Sequence, residues 1–124
     1  MKLAIVGSRD IIIDDLEKYL PEGVTEIVSG GAKGVDSCAR DFALGHGIKL
    51  TEFLPEYKKY GRSAPLKRNM QIIEYSDAVL VFWDGKSKGS EFVINQCKKL
   101  NKEIKIILRK KYPAKLASGG VTLF

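Results

Sequence analysis

The residues best suited to chemistry in this sequence lie in short polar turns: Gly7-Ser8-Arg9, Ser29-Gly30-Gly31-Ala32-Lys33-Gly34, Asp84-Gly85 and Gly89-Ser90. Glycine lets a backbone come close to a ligand. Unpaired N–H groups and the dipole at a helix start favour an anion, so such turns suit phosphate. The glycine run fits neither G-x-G-x-x-G nor the G-x-x-x-x-G-K-[ST] loop, which argues against a standard dinucleotide or ATPase site. Taken singly, each glycine also reads as an ordinary turn or a tight helix–strand contact. Convergence of several such turns at one edge is what points to a site.

Arg68 and Asn69 add to this set. If Leu66, Met70 and Ile73 form the inner stripe of a helix, Asn69 lies on or beside it, and a buried amide must be hydrogen-bonded. Either it bonds a strand-end carbonyl, or it lines the site with Arg68, whose fork binds phosphate bidentately. Tyr57, Tyr60, Arg62 and Trp83 offer rings and charge for stacking on a base, although the apolar neighbours of Trp83 equally suit a core residue. Asp84 and Glu91 are the nearest carboxylates and the candidates for general acid or base. Asp36 suits the positive end of a helix. The lone histidine, in Gly45-His46-Gly47, reads as a helix-end residue and makes a Ser–His–Asp triad hard to build. Cys38 and Cys97 form neither a disulfide framework nor a metal spacing, and no metal site is expected.

These residues need a scaffold, and apolar runs alternating with helical patterns supply one. Strands are expected at Leu3–Val6, Glu26–Val28, Lys49–Leu54, Ala78–Trp83 and Ile104–Leu108. A short helix is expected from Asp14, with Glu17 completing a capping-box spacing, Ile13, Leu16 and Leu20 buried, and Pro21 stopping it. Val35, Cys38, Ala39, Phe42 and Ala43 fall on one face at helical period. Residues 56–64 read as a polar loop. Pro65 then opens a helix reaching about Tyr75, and another runs from about Ser90 to Leu100 with Val93, Cys97 and Leu100 inward. The fold class is α/β: a single-domain, Rossmann-like three-layer α/β/α sandwich with a mostly parallel sheet of about five strands. The domain spans residues 1–112, and residues 113–124 form a tail that is loose or adds an edge strand at Val121–Phe124. In such sheets ligands bind outside the carboxyl ends of the strands, where these polar turns fall.

With 124 residues, 44% hydrophobic and 29% charged, the composition is that of one ordinary globular domain. No apolar run is long enough to span a bilayer, and the N-terminus meets Gly7 and Arg9 too soon for a signal-peptide core. A soluble cytoplasmic protein with no membrane partner is the expectation. The net charge of +6 is concentrated late: Lys98, Lys99, Lys102, Lys105, Arg109, Lys110, Lys111 and Lys115 face only Glu103. That segment could attract a polyanion, or could be a solvated helix face and an edge strand guarded by lysines.

Read in order, Gly7-Ser8-Arg9, Ser29 through Asp36, Tyr60 through Asn69, Asp77 through Gly85, and Gly89-Ser90 resemble the SLOG superfamily, most closely its small YspA-type (YpsA-related) branch, over about residues 2–108. The resemblance implies a Rossmann-like domain that binds a nucleotide or nucleotide-derived ligand. Relatives include DprA, which binds single-stranded DNA, and the cytokinin-activating phosphoribohydrolases once called lysine decarboxylases. By position it makes Gly7, Ser8, Arg9, Gly30, Gly31, Gly34, Asp36, Arg68, Asn69, Gly89 and Ser90 ligand-facing; Ser29 and Asp84, at strand ends, join them from the reading above. The phosphoribohydrolases carry Gly-Gly-x-Gly-Thr-x-x-Glu with a catalytic Glu. Here that position is Val93, and Glu91 stands about 200° away around a helix.

Three functions follow as expectations. The first is binding, by a sensor or processing accessory, of a nucleoside monophosphate or ADP-ribose-like molecule, with phosphate at Gly30–Gly34 and Gly89–Ser90 and Arg9 or Arg68 neutralising it. The second is hydrolysis of an N-glycosidic or phosphate bond by Asp84 or Glu91. The third is DprA-like binding of single-stranded nucleic acid through the basic segment and loop aromatics. A homodimer or higher homo-oligomer is a further expectation, since relatives of this fold often pair.

Overall fold

The computed structural model describes residues 1–110. Five parallel strands, β1 (Lys2–Gly7), β2 (Glu26–Ser29), β3 (Lys49–Glu52), β4 (Ala78–Trp83) and β5 (Glu103–Leu108), lie in the order β3-β2-β1-β4-β5. The helices are α1 (Val35–Gly45), the single turn α2 (Tyr57–Tyr60), α3 (Ala64–Tyr75) and α4 (Lys88–Lys99). The sheet is wholly parallel, and the fold is the Rossmann-like α/β sandwich expected from sequence. The chain builds outward from β1 to β3, then returns to place β4 on the other side of β1. That reversal leaves a crevice between the carboxyl ends of β1 and β4, where open α/β sheets bind ligands.

Alternation along the strands explains the layers. Leu3 and Ile5 of β1 point to one face with Ile27, Leu80 and Phe82, and meet Val35, Ala39 and Ala43 of α1. Ala4 and Val6 point to the other with Val28, Val79 and Val81, and meet Ile72 and Ile73 of α3 and Val93, Ile94 and Cys97 of α4. Burying one such Ile, Leu or Phe side chain is worth about 1.5–3 kcal/mol. Two apolar faces therefore hold β1 and β4 at fixed height, and with them the turns at their ends. Among the described residues no helix is long and apolar enough to cross a membrane.

Several sequence expectations shift. The helix expected from Asp14 is a 3₁₀ turn at Leu16–Tyr19 with no side-chain cap, although Ile13 and Leu16 are buried as expected. Pro21 leaves too few residues for a longer helix, and Asp15 accepts instead from Arg109 at the end of β5 (3.0 Å). β2 extends through Ser29, whereas β3 stops at Glu52, leaving Leu54 exposed. The expected loop 56–64 contains α2 and a 3₁₀ turn at Gly61–Ser63. Along α3, Ile73 is buried and Met70 packs against the core as expected, but Leu66 is 43% exposed and Ala64 and Ile72 complete the inner face in its place. α4 starts at Lys88, two residues early, and Leu100 lies beyond its end, half exposed. His46 does end α1, stacked on Phe42 with Nδ1 2.9 Å from the Phe42 carbonyl oxygen. Cys38 is accounted for by packing, its Sγ accepting from the Ile13 N–H (3.3 Å). The tail at 113–124 lies outside the described residues.

Candidate functional site

A cavity of about 410 Å³ occupies the crevice. Its walls come from the ends of β1 and β2, the first turn of α1, the first three turns of α3 and the start of α4. The volume is at the lower end of the range for small-molecule sites.

Two glycines let these pieces approach. A Cβ on Gly7 would stand 2.5 Å from the Phe82 carbonyl oxygen and 2.6 Å from a Val35 methyl, so any side chain there would push α1 off the sheet. Gly34 has φ +68°, and a Cβ there would meet the backbone of Arg9 and lie 2.7 Å from the Ser8 oxygen. Ser8 then links two helix starts. Its carbonyl accepts from Val35 at the head of α1 (3.4 Å), and its Oγ pairs with Ser87 Oγ at the head of α4 (2.7 Å).

The loop after β2 is closed by its own bonds. Arg68 Nη1 donates to the Gly30 carbonyl oxygen (2.6 Å), Asp36 Oδ2 accepts from the Ala32 N–H (3.1 Å), and Ser37 Oγ donates to the Ala32 oxygen (3.0 Å). The Gly31 N–H reaches Ser29 Oγ at 3.5 Å. Of the Gly30–Gly34 amides expected to cradle phosphate, those of Gly31 and Ala32 are therefore already engaged. Gly30 is the hinge of this arrangement: a Cβ there would sit 2.6 Å from Arg68 Nη1 and 3.0 Å from Asp36 Oδ2.

Arg68 and Asn69 line the cavity together, the second of the two readings open to them by sequence. The strand-end carbonyl is bonded by Arg68, and Asn69 Oδ1 accepts from Arg68 Nε (2.9 Å), fixing the guanidinium. Burial pushes the Asp36 carboxyl above its ordinary range, against the Ala32 N–H and the Arg68 charge. Burial likewise lowers Arg68, and Asp36 opposes that shift. Each charge stabilises the other in a half-dry setting.

The start of α4 is built differently. Asp84 Oδ1 accepts from the N–H groups of Lys86 (2.8 Å) and Ser87 (2.7 Å), and Trp83 Nε1 donates to the Ser87 carbonyl (3.1 Å). Ser87 is the N-cap, but its side chain makes no capping bond, being held by Ser8. The first bond of the helix runs from the Glu91 N–H to the Ser87 oxygen (3.1 Å). The N–H groups of Lys88, Gly89 and Ser90 precede it and have no acceptor within the helix. All three residues line the cavity. A Cβ on Gly89 would meet nothing within 4 Å, so this glycine faces open space.

Of the residues singled out by sequence, Gly7, Ser8, Arg9, Gly30, Asp36, Arg68, Asn69, Gly89 and Ser90 line the cavity together. Ser29, Gly31 and Gly34 support the loops behind it. Asp84 and Glu91 are not on its wall: Asp84 holds the turn before α4, and Glu91 pairs with Lys88 at 3.8 Å on the surface. Trp83 serves that same turn, while Tyr57, Tyr60 and Arg62 stand off the wall, the Tyr60 ring lying beneath Lys59 and Lys67. Ser87 was the missed member. Its signal was the spacing of Asp84 three residues before it, which is that of a carboxylate capping a turn. The basic segment is divided: Arg109 serves Asp15 and Tyr19, Lys102 donates to the Ser76 carbonyl (2.6 Å), and Lys111 and Lys115 lie outside the described residues. Among the described residues no group of three or more His, Cys, Asp or Glu is placed to hold a metal ion.

Comparison of the chain with protein-family models, with curated proteins and with solved structures gave no match.

Proposed function

We propose that this chain is a cytoplasmic, SLOG-type module that binds a nucleotide or nucleotide-derived ligand, with its phosphate at the head of α4. The observation that carries this reading is the set of N–H groups of Lys88, Gly89 and Ser90, left without a side-chain cap on residues that line a cavity at the strand-order reversal. Phosphate supplies the acceptors that the helix start lacks and is favoured by the helix dipole. Arg9, exposed on the rim and making no ion pair among the described residues, supplies the counter-charge. Hydrolysis by Asp84 or Glu91 has less support, because neither carboxylate reaches the cavity wall.

The test is calorimetry with a panel of nucleoside monophosphates and ADP-ribose, on the parent protein and Gly89→Leu. The only tryptophan, Trp83, bonds to the N-cap and gives a second readout through its emission. A leucine side chain at position 89 has room in the free protein, so the variant should fold as stably as the parent. It should bind at least tenfold more weakly, the lower range for losing a charge-assisted contact. No binding by the parent, or unchanged binding by Gly89→Leu, rejects the reading.

A further inference from the structure

The geometry points to a second subsite in the same cavity: Asp36 receives the vicinal hydroxyls of a ribose, so the ligand is a ribonucleotide rather than a deoxyribonucleotide. This rests on the phosphate assignment above and extends it. Asp36 is 7% exposed, yet it lines the cavity. Its Oδ2 is taken by the Ala32 N–H, while Oδ1 makes no hydrogen bond among the described residues. Oδ1 is not sealed inside the protein but opens on the cavity, so a ligand that displaces the solvent there must donate to it. A phosphate cannot do so, since both groups are anionic. A neutral hydroxyl pair can.

Placement favours the sugar over the base. Ser8 alone separates the two helix heads, its Oγ on Ser87 and its carbonyl on the Val35 N–H, immediately before Asp36. The phosphate donors and Asp36 thus flank Ser8 on one cavity wall, and a sugar would bridge them between its 5′-phosphate and its 2′- and 3′-hydroxyls. The base of such a ligand lies beyond, toward Pro65 and Leu66, where the wall is apolar. Gly30 keeps this end open, because any Cβ there would fill the space between Arg68 and Asp36. Arg68, bound to the Gly30 carbonyl, holds the loop and balances the carboxylate once the ligand excludes water.

The experiment measures affinity for AMP, 2′-deoxy-AMP and 3′-deoxy-AMP on the parent, Asp36→Ala and Asp36→Asn. The parent should prefer AMP about tenfold or more over at least one deoxy compound, the worth of a hydrogen bond to a charged acceptor. Asp36→Ala should bring that ratio to about one. Asp36→Asn still accepts the Ala32 N–H and protects the fold, and should give an intermediate ratio. Equal parent affinities for all three compounds, with binding still lost in Gly89→Leu, would overturn the ribose subsite and leave the phosphate reading standing. A preference unchanged in both Asp36 variants would also overturn it. Failure of the parent to bind these three or any other member of the nucleotide panel would remove both.

Discussion

Arg68→Ala tests whether Arg68 and Asp36 act as one unit. Arg68 donates to the Gly30 carbonyl at 2.6 Å and is the foremost positive charge acting on Asp36. A hydrogen bond from a charged donor contributes about 1.5–3 kcal/mol, and the lower half applies because Arg68 is only partly buried. Stranding the Asp36 charge adds to this, so a loss of about 2–3 kcal/mol is expected. For a domain of this size that is about 10 °C in Tm. Asp36→Asn removes the charge that Arg68 offsets and should be neutral or stabilising alone. In that background Arg68→Ala should cost at least about 1 kcal/mol less. The pH dependence has a definite sign. Because burial raises the folded pKa of Asp36, its ionisation opposes folding, and the penalty grows as pH rises through that raised value. The Arg68→Ala deficit should therefore shrink as pH falls from neutral toward the ordinary Asp range near 4. Urea titrations of the four proteins at several pH values measure all of this. Additivity within about 0.5 kcal/mol, with a pH-independent deficit, would refute the coupling.

Two further predictions concern the scaffold. Gly34→Ala places a side chain at φ +68° against the Ser8 and Arg9 backbone, and should cost about 3 kcal/mol from strain and displacement together; a loss below about 1 kcal/mol in urea titration would mean the turn relaxes freely. Glu26, at the opposite edge of the sheet, accepts from Thr51 (2.6 Å) and Tyr75 (2.5 Å), and these bonds, with Lys49, hold its carboxyl below the ordinary range. Its stabilisation is present above the unfolded pKa and is lost as pH falls through the lower folded one. Glu26→Gln should thus melt below the parent at pH 7 and converge with it near pH 3, whereas parallel Tm curves would exclude this network.

Much of the fold was legible because its signals were local. Leu3–Val6 and Ala78–Phe82 are apolar without interruption, which only strands covered on both faces require. The inward face of α1 repeats at helical period from Val35 to Ala43, and Ala39 and Ala43 are fully buried. The inner face of α3 was legible only in part. Leu66 looks like a core residue by type, but it is an apolar rim to the cavity, and counting inward from it turns Asn69 toward the core in place of Ile72. The head of α4 falls two residues before its expected place for a related reason. Lys88 and Gly89 read as loop residues, and only the extended Ser87 backbone, φ −59° and ψ 124°, sets the helix start before them.

The lining of the candidate site was legible as a set of residue types but not as a division of labour. Glycine at a strand end signals close approach without saying by what. At Gly7 and Gly34 the approaching atoms belong to the protein, whereas at Gly89 no protein atom comes near. Carboxylates divide the same way. Asp84 is close in sequence to the Gly89 turn, yet it gives an oxygen to two amides of its own turn, while Asp36, readable as a helix-end charge, keeps one oxygen unbonded on the cavity wall. A pocket with uncapped amides at one end and a buried carboxylate at the other is complementary to a molecule that is anionic at one end and rich in hydroxyls at the other. Neither charge alone would select it. The two ends together do, because a ligand reversed in the cavity would set phosphate against Asp36.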